Sequence, residues 1–176
     1  MQKVFSTIIV CLFVTHTFGQ TQKKVTTYLL TQYNKTISDR TIGNNPWGVG
    51  LGLQTFFNNK SKFKPTIELT GDIYLEDDKV FRTNTDGSTT NDVRGMVNLF
   101  FGSSFHPTKS VYVSVTVGPS FMNGQTFIGL KPSFGFYFPK AQKWTGKISY
   151  INVFNRDKTT KGDFSSLSLS VGFKLL

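Results

Sequence analysis

Near its C-terminus the chain alternates. Leu167, Leu169, Val171, Phe173 and Leu175 occupy one parity, while Ser166, Ser168, Ser170, Gly172 and Lys174 occupy the other. A period of two is what a β-strand imposes on its two faces, whereas a helix would spread these apolar residues around its whole circumference. The pattern recurs upstream. Trp47, Val49, Leu51 and Leu53 alternate with Gly48, Gly50, Gly52 and Gln54, and Val111, Val113, Val115 and Val117 with Tyr112, Ser114, Thr116 and Gly118. Ile128, Leu130, Pro132, Phe134, Phe136 and Phe138 face away from Phe127, Gly129, Lys131, Ser133, Gly135 and Tyr137. Val93, Gly95, Val97, Leu99 and Phe101 face away from Arg94, Met96, Asn98, Phe100 and Gly102. Alternation and turn residues together predict eight strands, at about 24–33, 46–57, 62–75, 92–105, 110–122, 125–138, 142–154 and 163–176.

Most of these stretches are longer than the roughly five or six residues usual in a soluble sheet, and match the roughly nine to eleven needed to cross a bilayer at a tilt. In a soluble sandwich the apolar face would be the core and the polar face would carry many surface charges. The polar face here is mostly Gly, Ser and Thr, as though space beside it were limited. A small closed barrel has that property, because eight strands leave an interior only wide enough for side chains. The sheet is therefore expected to be inverted, with apolar residues toward lipid.

The connections point the same way. The long ones, 34–45, 76–91 and 155–162, are all odd in chain order, and the short ones, near 58–61, 106–109 and 139–141, are all even. The fifth, Asn123-Gly124, is a two-residue hairpin of the Asn-Gly kind. A barrel with both termini on the periplasmic side has long loops outside and short turns inside. These features resemble the small eight-stranded outer-membrane β-barrel family of the OmpX or OmpA-transmembrane type, the likeness resting on the alternating strands, the apolar-alternating terminal strand and an export signal. The resemblance implies an all-β, closed, antiparallel, up-and-down transmembrane barrel in the bacterial outer membrane, with lipopolysaccharide outside, phospholipid inside, the outer-membrane insertion machinery as a partner, and a monomeric state. The terminal strand should pair back with strand one to close the barrel.

Lys3, the apolar run Val4 to Val14 and Thr17-Phe18-Gly19-Gln20 form a charged n-region, an h-region and a small residue before a cleavage point. Residues 1–19 are read as a cleaved signal peptide, with cleavage after Gly19 or Gln20, and 20–176 as the barrel domain. The apolar run is too short to span a membrane as a helix. Cys11, the only cysteine, lies in that segment, so disulfides cannot stabilise the exported chain. The 18 Phe and 16 Gly among 176 residues suit strands and tight turns.

The net charge of +10 would suit a nucleic-acid binder, but export and the scatter of the lysines argue against that partner. Lys60, Lys62, Lys64, Lys109, Lys140 and Lys143 cluster in or beside the short turns with no acid among them. Such a rim favours anionic head groups, or is simply a set of solvated turns. On the inward parity lie Lys64, Glu68, Asp72, Arg94, Lys131, Lys147 and Lys174. Glu68, Asp72, Arg94, Lys131 and Lys147 are read as a structural polar network filling the lumen, with Glu68 and Asp72 meeting Arg94 across neighbouring strands. Trp47, Tyr74, Phe121 and Phe154 at one set of strand ends, and Phe57, Phe63, Phe105, Phe138 and Trp144 at the other, are read as interfacial girdles.

No catalytic set is legible. His106, the one histidine beyond the signal segment, precedes Pro107 in a short turn, and Ser103 and Ser104 are too generic to make a nucleophile. The glycines at 48, 50 and 52 have no helix after them and are no dinucleotide fingerprint. No cofactor or metal is expected. The chain reads as a non-enzymatic outer-membrane barrel acting in envelope structure or in surface binding through its long loops. The alternative is an exported, soluble, lipocalin-like barrel holding a hydrophobic ligand on an inward apolar face.

Overall fold

The computed structural model describes residues 24–37, 46–74, 94–122, 124–138, 142–155 and 163–176, together with the backbone of 82–83 and 89–90. The expected signal segment and much of the long connections lie outside these residues. The barrel strands are β1 (Val25–Thr36), β2 (Trp47–Phe57), β3 (Phe63–Tyr74), β6 (Arg94–Phe105), β7 (Val111–Met122), β8 (Gln125–Tyr137), β9 (Trp144–Val153) and β10 (Phe164–Lys174). Between β3 and β6, the two-residue strands β4 (Arg82–Thr83) and β5 (Thr89–Thr90) pair with one another. Each barrel strand pairs antiparallel with its neighbours in chain order, and β10 pairs with β1 from Tyr28↔Lys174 to Thr36↔Ser166. That seam removes both edges and closes the sheet, as a bilayer demands of strands that cross it.

β1 runs to Thr36, three residues beyond the expected end. Lys35 on the outward parity breaks the apolar pattern there, but its ammonium sits 5.2 Å from the centre of the Trp47 ring, and Asn34 and Thr36 continue the buried parity. The two-residue hairpin stands as expected. Met122 pairs with Gln125, and Gly124 adopts φ +68°, a left-handed conformation that glycine enters without strain.

The faces are inverted relative to a soluble barrel. Leu51 is 61% exposed and Val115 53%, while Thr116 beside Val115 is 1% exposed. Leu29, Val49, Leu69, Val97, Val117, Ile128, Phe134, Ile148, Leu167, Leu169 and Val171 complete an apolar exterior on every strand. This overturns the soluble lipocalin-like alternative, which needs that face inside. A band of this extent is an interaction surface for hydrocarbon. At the strand ends nearer the termini, the Phe63 and Phe105 rings lie 4.8 Å apart and those of Trp144 and Phe173 5.0 Å apart. At the opposite ends Tyr33 stacks on Trp47 at 5.3 Å. One expected girdle residue is misplaced. Tyr74 is on the parity of Asp72 and Thr70, so it points inward and packs edge-on against Phe164 at 5.1 Å.

Candidate functional site in the barrel lumen

The interior has three layers. At the end of the short turns, Tyr28, Leu30, Phe56 and Tyr112 form a buried cluster against which Tyr137 packs. At the end of the long connections, Tyr74, Met96, Phe100, Met122, Ile151, Val153 and Phe164 form another, with Phe127 against it. Burying an aromatic side chain is worth roughly 1.5–3 kcal/mol, so the two ends supply apolar stabilisation that the polar middle cannot. The inward glycines make these rings possible. A Cβ at Gly129 would sit 2.9 Å from the Phe100 ring, and one at Gly135 would overlap the Tyr112 ring.

Between the aromatic layers lies one connected polar network. Glu68 on β3 reaches across the lumen, where Lys131 Nζ on β8 and Lys147 Nζ on β9 each donate to its Oε1 at 2.7 Å. Lys131 Nζ also donates to Gln32 Oε1 at 3.3 Å, which accepts the Ser170 hydroxyl at 3.2 Å. Gln32 Nε2 donates to Asp72 Oδ1 at 3.1 Å, and Asn34 Nδ2 donates to the same oxygen at 2.7 Å. Thr70 Oγ1 and Asn98 Nδ2 each donate to Asp72 Oδ2 at 3.1 Å. Two buried carboxylates thus face two buried ammonium groups, and an isolated charge there would carry a large desolvation cost. Space for Asp72 comes from Gly50 across the β2–β3 pair, where a Cβ would collide with the carboxylate.

Of the residues read from sequence, Glu68, Lys131 and Lys147 are in direct contact, and Asp72 is tied to them through Gln32. Of the expected meeting of Glu68 and Asp72 with Arg94, the structure describes the backbone register alone. The β6 residue opposite Glu68 is Phe100 and that opposite Asp72 is Met96, while Arg94 lies opposite Tyr74 at the strand end. The Arg94 side chain lies outside the described residues. Gln54 and Asn98 lie on the inward face as expected, whereas Gln32 and Asn34, also buried on the inward parity of their strand, were missed as lumen residues. Gln54 accepts a hydrogen bond from the Tyr112 hydroxyl at 3.1 Å, and its Nε2 is buried with no hydrogen-bond partner among the described residues.

His106 is more than a solvated turn residue. Its ring stacks with Tyr112 at 5.4 Å and Tyr137 at 6.1 Å and meets the Phe56 edge at 5.3 Å. Burial against these rings, reinforced by Lys64, pushes its pKa down to about 4, so it is neutral at physiological pH. At the other end, Asp163 Oδ2 accepts from Asn152 Nδ2 at 3.0 Å and its Oδ1 accepts the Asn155 amide at 3.0 Å, which hold its carboxyl below the usual range. Among the described residues no group of three or more His, Cys, Asp or Glu could hold a metal ion.

A closed eight-stranded barrel with an apolar exterior and a side-chain-filled lumen defines the class: a small transmembrane β-barrel of the outer-membrane type. Solved structures of that class are similar in fold. The Ail attachment invasion locus protein of Yersinia pestis matches at 12% identity over 86% of this chain and 97% of that one, with a TM-score of 0.55. Ail in a phospholipid bilayer nanodisc matches at 10% identity over 85% of this chain and 99% of that one, with a TM-score of 0.52. Neisserial surface protein A matches at 12% identity over 88% of this chain and 99% of that one, with a TM-score of 0.50. No protein-family model and no curated protein sequence matches the chain.

Proposed function

We propose that this protein is a non-enzymatic barrel of the bacterial outer membrane, and that it contributes to envelope structure or surface binding through the connections that join β1 to β2, β3 to β6 and β9 to β10. The observation that carries this reading is the pairing of a lipid-compatible exterior with a lumen sealed by aromatic layers around the Glu68–Lys131–Lys147 cluster. In this reading Glu68, Asp72, Arg94, Lys131 and Lys147 are structural, replacing the hydrophobic core of a soluble protein. The likeness in fold to a protein named for attachment and invasion and to a surface protein supports a task at the cell surface. Lipopolysaccharide and phospholipid then surround the two halves of the belt, and the insertion machinery of the outer membrane would assemble the monomeric barrel after residues 1–19 are removed.

Cysteine labelling tests the placement, since Cys11 is the chain's only cysteine. Thr159→Cys lies in the last long connection, and Ser61→Cys lies in the first short turn. A membrane-impermeant maleimide applied to intact cells should label Thr159→Cys and reach Ser61→Cys only after the outer membrane is permeabilised. Recovery of the unlabelled protein in a detergent-free soluble fraction contradicts the proposal. Purified barrel added to a planar bilayer should give no single-channel steps, because eight-stranded interiors are filled.

A further inference from the structure

The end of the barrel that carries the short turns opens into a bowl of about 680 Å³. Lys60, Lys62, Lys64, Lys109 and Lys174 line it, and among the described residues no acidic side chain does. The lysines come from three separate parts of the chain. The β2–β3 turn and the start of β3 supply three, the β6–β7 turn supplies one, and the end of β10 supplies the last. They converge over a floor of aromatic rings, Tyr28, Phe56, His106 and Tyr137, that belongs to the inner seal of the lumen.

The walls are organised by hydrogen bonds. Lys64 Nζ donates to Asn58 Oδ1 at 3.2 Å, and Asn58 Nδ2 donates to Thr26 Oγ1 at 2.8 Å. On the far side Gln142 Nε2 donates to the Lys109 carbonyl at 2.6 Å, and the Tyr28 hydroxyl donates to the Gln142 carbonyl at 2.9 Å. Those contacts hold two turns from different strand pairs around one opening. At the floor, Nε2 of His106 is buried with no hydrogen-bond partner among the described residues.

From this geometry we propose that the bowl is a binding site for phosphate groups, taking a ligand that carries at least two of them. Ammonium groups suit phosphate as point charges, and several of like sign around one concavity raise the local concentration of a polyanion. The low-dielectric aromatic floor strengthens each attraction relative to open water. A single carboxylate would leave most of the cations unanswered, whereas a diphosphate can address lysines from more than one turn at once. The phosphate groups can come from lipid head groups of the adjacent leaflet or from a soluble phosphate ester.

Inorganic pyrophosphate is the probe. It is titrated calorimetrically into the folded barrel in zwitterionic detergent at low salt, with folding of each variant confirmed by the unheated gel mobility. Saturable binding is expected, weakened about tenfold in Lys64→Gln/Lys174→Gln and again in Lys60→Gln/Lys109→Gln, whose exposed lysines have less part in folding. Lys35→Gln at the opposite end should bind as the native protein does. Absence of saturable binding, or affinity unchanged from the native protein in both double variants, overturns the site. Repeating the titration in nanodiscs separates the sources, both of which keep the site. Weakening by phosphatidylglycerol relative to phosphatidylcholine assigns the groups to lipid, and equal binding assigns them to a soluble ester. Because the measurement is made on the folded barrel, a negative result leaves its membrane placement intact.

Discussion

Lys147 on β9 and Glu68 on β3 meet across the lumen at 2.7 Å although 79 residues separate them in the chain. Lys131 reaches the same Glu68 oxygen at the same distance, so one carboxylate oxygen joins three strands.

Glu68→Gln leaves two buried ammonium groups without the carboxylate they both contact. Breaking a buried ion pair costs about 3–5 kcal/mol, and a loss of that order is expected in urea unfolding of the lipid-embedded barrel. Lys131→Met, which leaves Lys147 on Glu68, should cost less. The triple variant Glu68→Met/Lys131→Met/Lys147→Met should recover much of the loss, because packed apolar groups of similar volume replace such clusters at little cost. Equal midpoints for Glu68→Gln and the native protein would contradict the role of the cluster.

Gly135→Val drives a side chain into the space of the Tyr112 ring. Overpacking of this kind costs about 1–3 kcal/mol, read as a lower unfolding midpoint. Tyr112→Leu should rescue Gly135→Val in part while destabilising the native background. Additive effects of the two substitutions would show that the residues do not share the space.

His106 gives the stability a pH dependence of defined sign. Its pKa is about 4 in the folded barrel and ordinarily near 6.5, so between these values the unfolded chain takes up a proton that the folded one refuses. Stability from this residue is therefore fully present above pH 6.5 and is lost as pH falls toward 4. His106→Phe keeps the ring stack and should flatten that slope. Imidazole NMR signals of the native barrel should stay in the neutral form at pH 5.5, a pH between the two values.

Much of this architecture was legible in the chain because a period of two in Leu167 to Leu175 states which residues share a face, and the glycines and serines opposite state that the other face is crowded. The closure of β10 on β1 follows from the same reasoning, since a bilayer tolerates no open edge. The partners across the lumen were not legible. Glu68 meets Lys131 and Lys147 through the stagger of the closed sheet, which no local pattern encodes. The aromatic layers were written on the inward parity as Tyr28, Phe56, Tyr112 and Tyr137, but their bulk fits only because Gly135 lies beside Tyr112. Tyr74 was taken for an interfacial residue because position near a strand end was weighed above parity.

The inverted sheet is tested most directly by a single tryptophan at Leu169, midway along β10 and 56% exposed. In Trp47→Phe/Trp144→Phe/Leu169→Trp no other tryptophan remains. In bilayers, lipids brominated deep in their acyl chains should quench this fluorophore more strongly than lipids brominated near the head group. Insensitivity to brominated lipid, together with quenching by aqueous iodide, would place Leu169 in water and contradict the account.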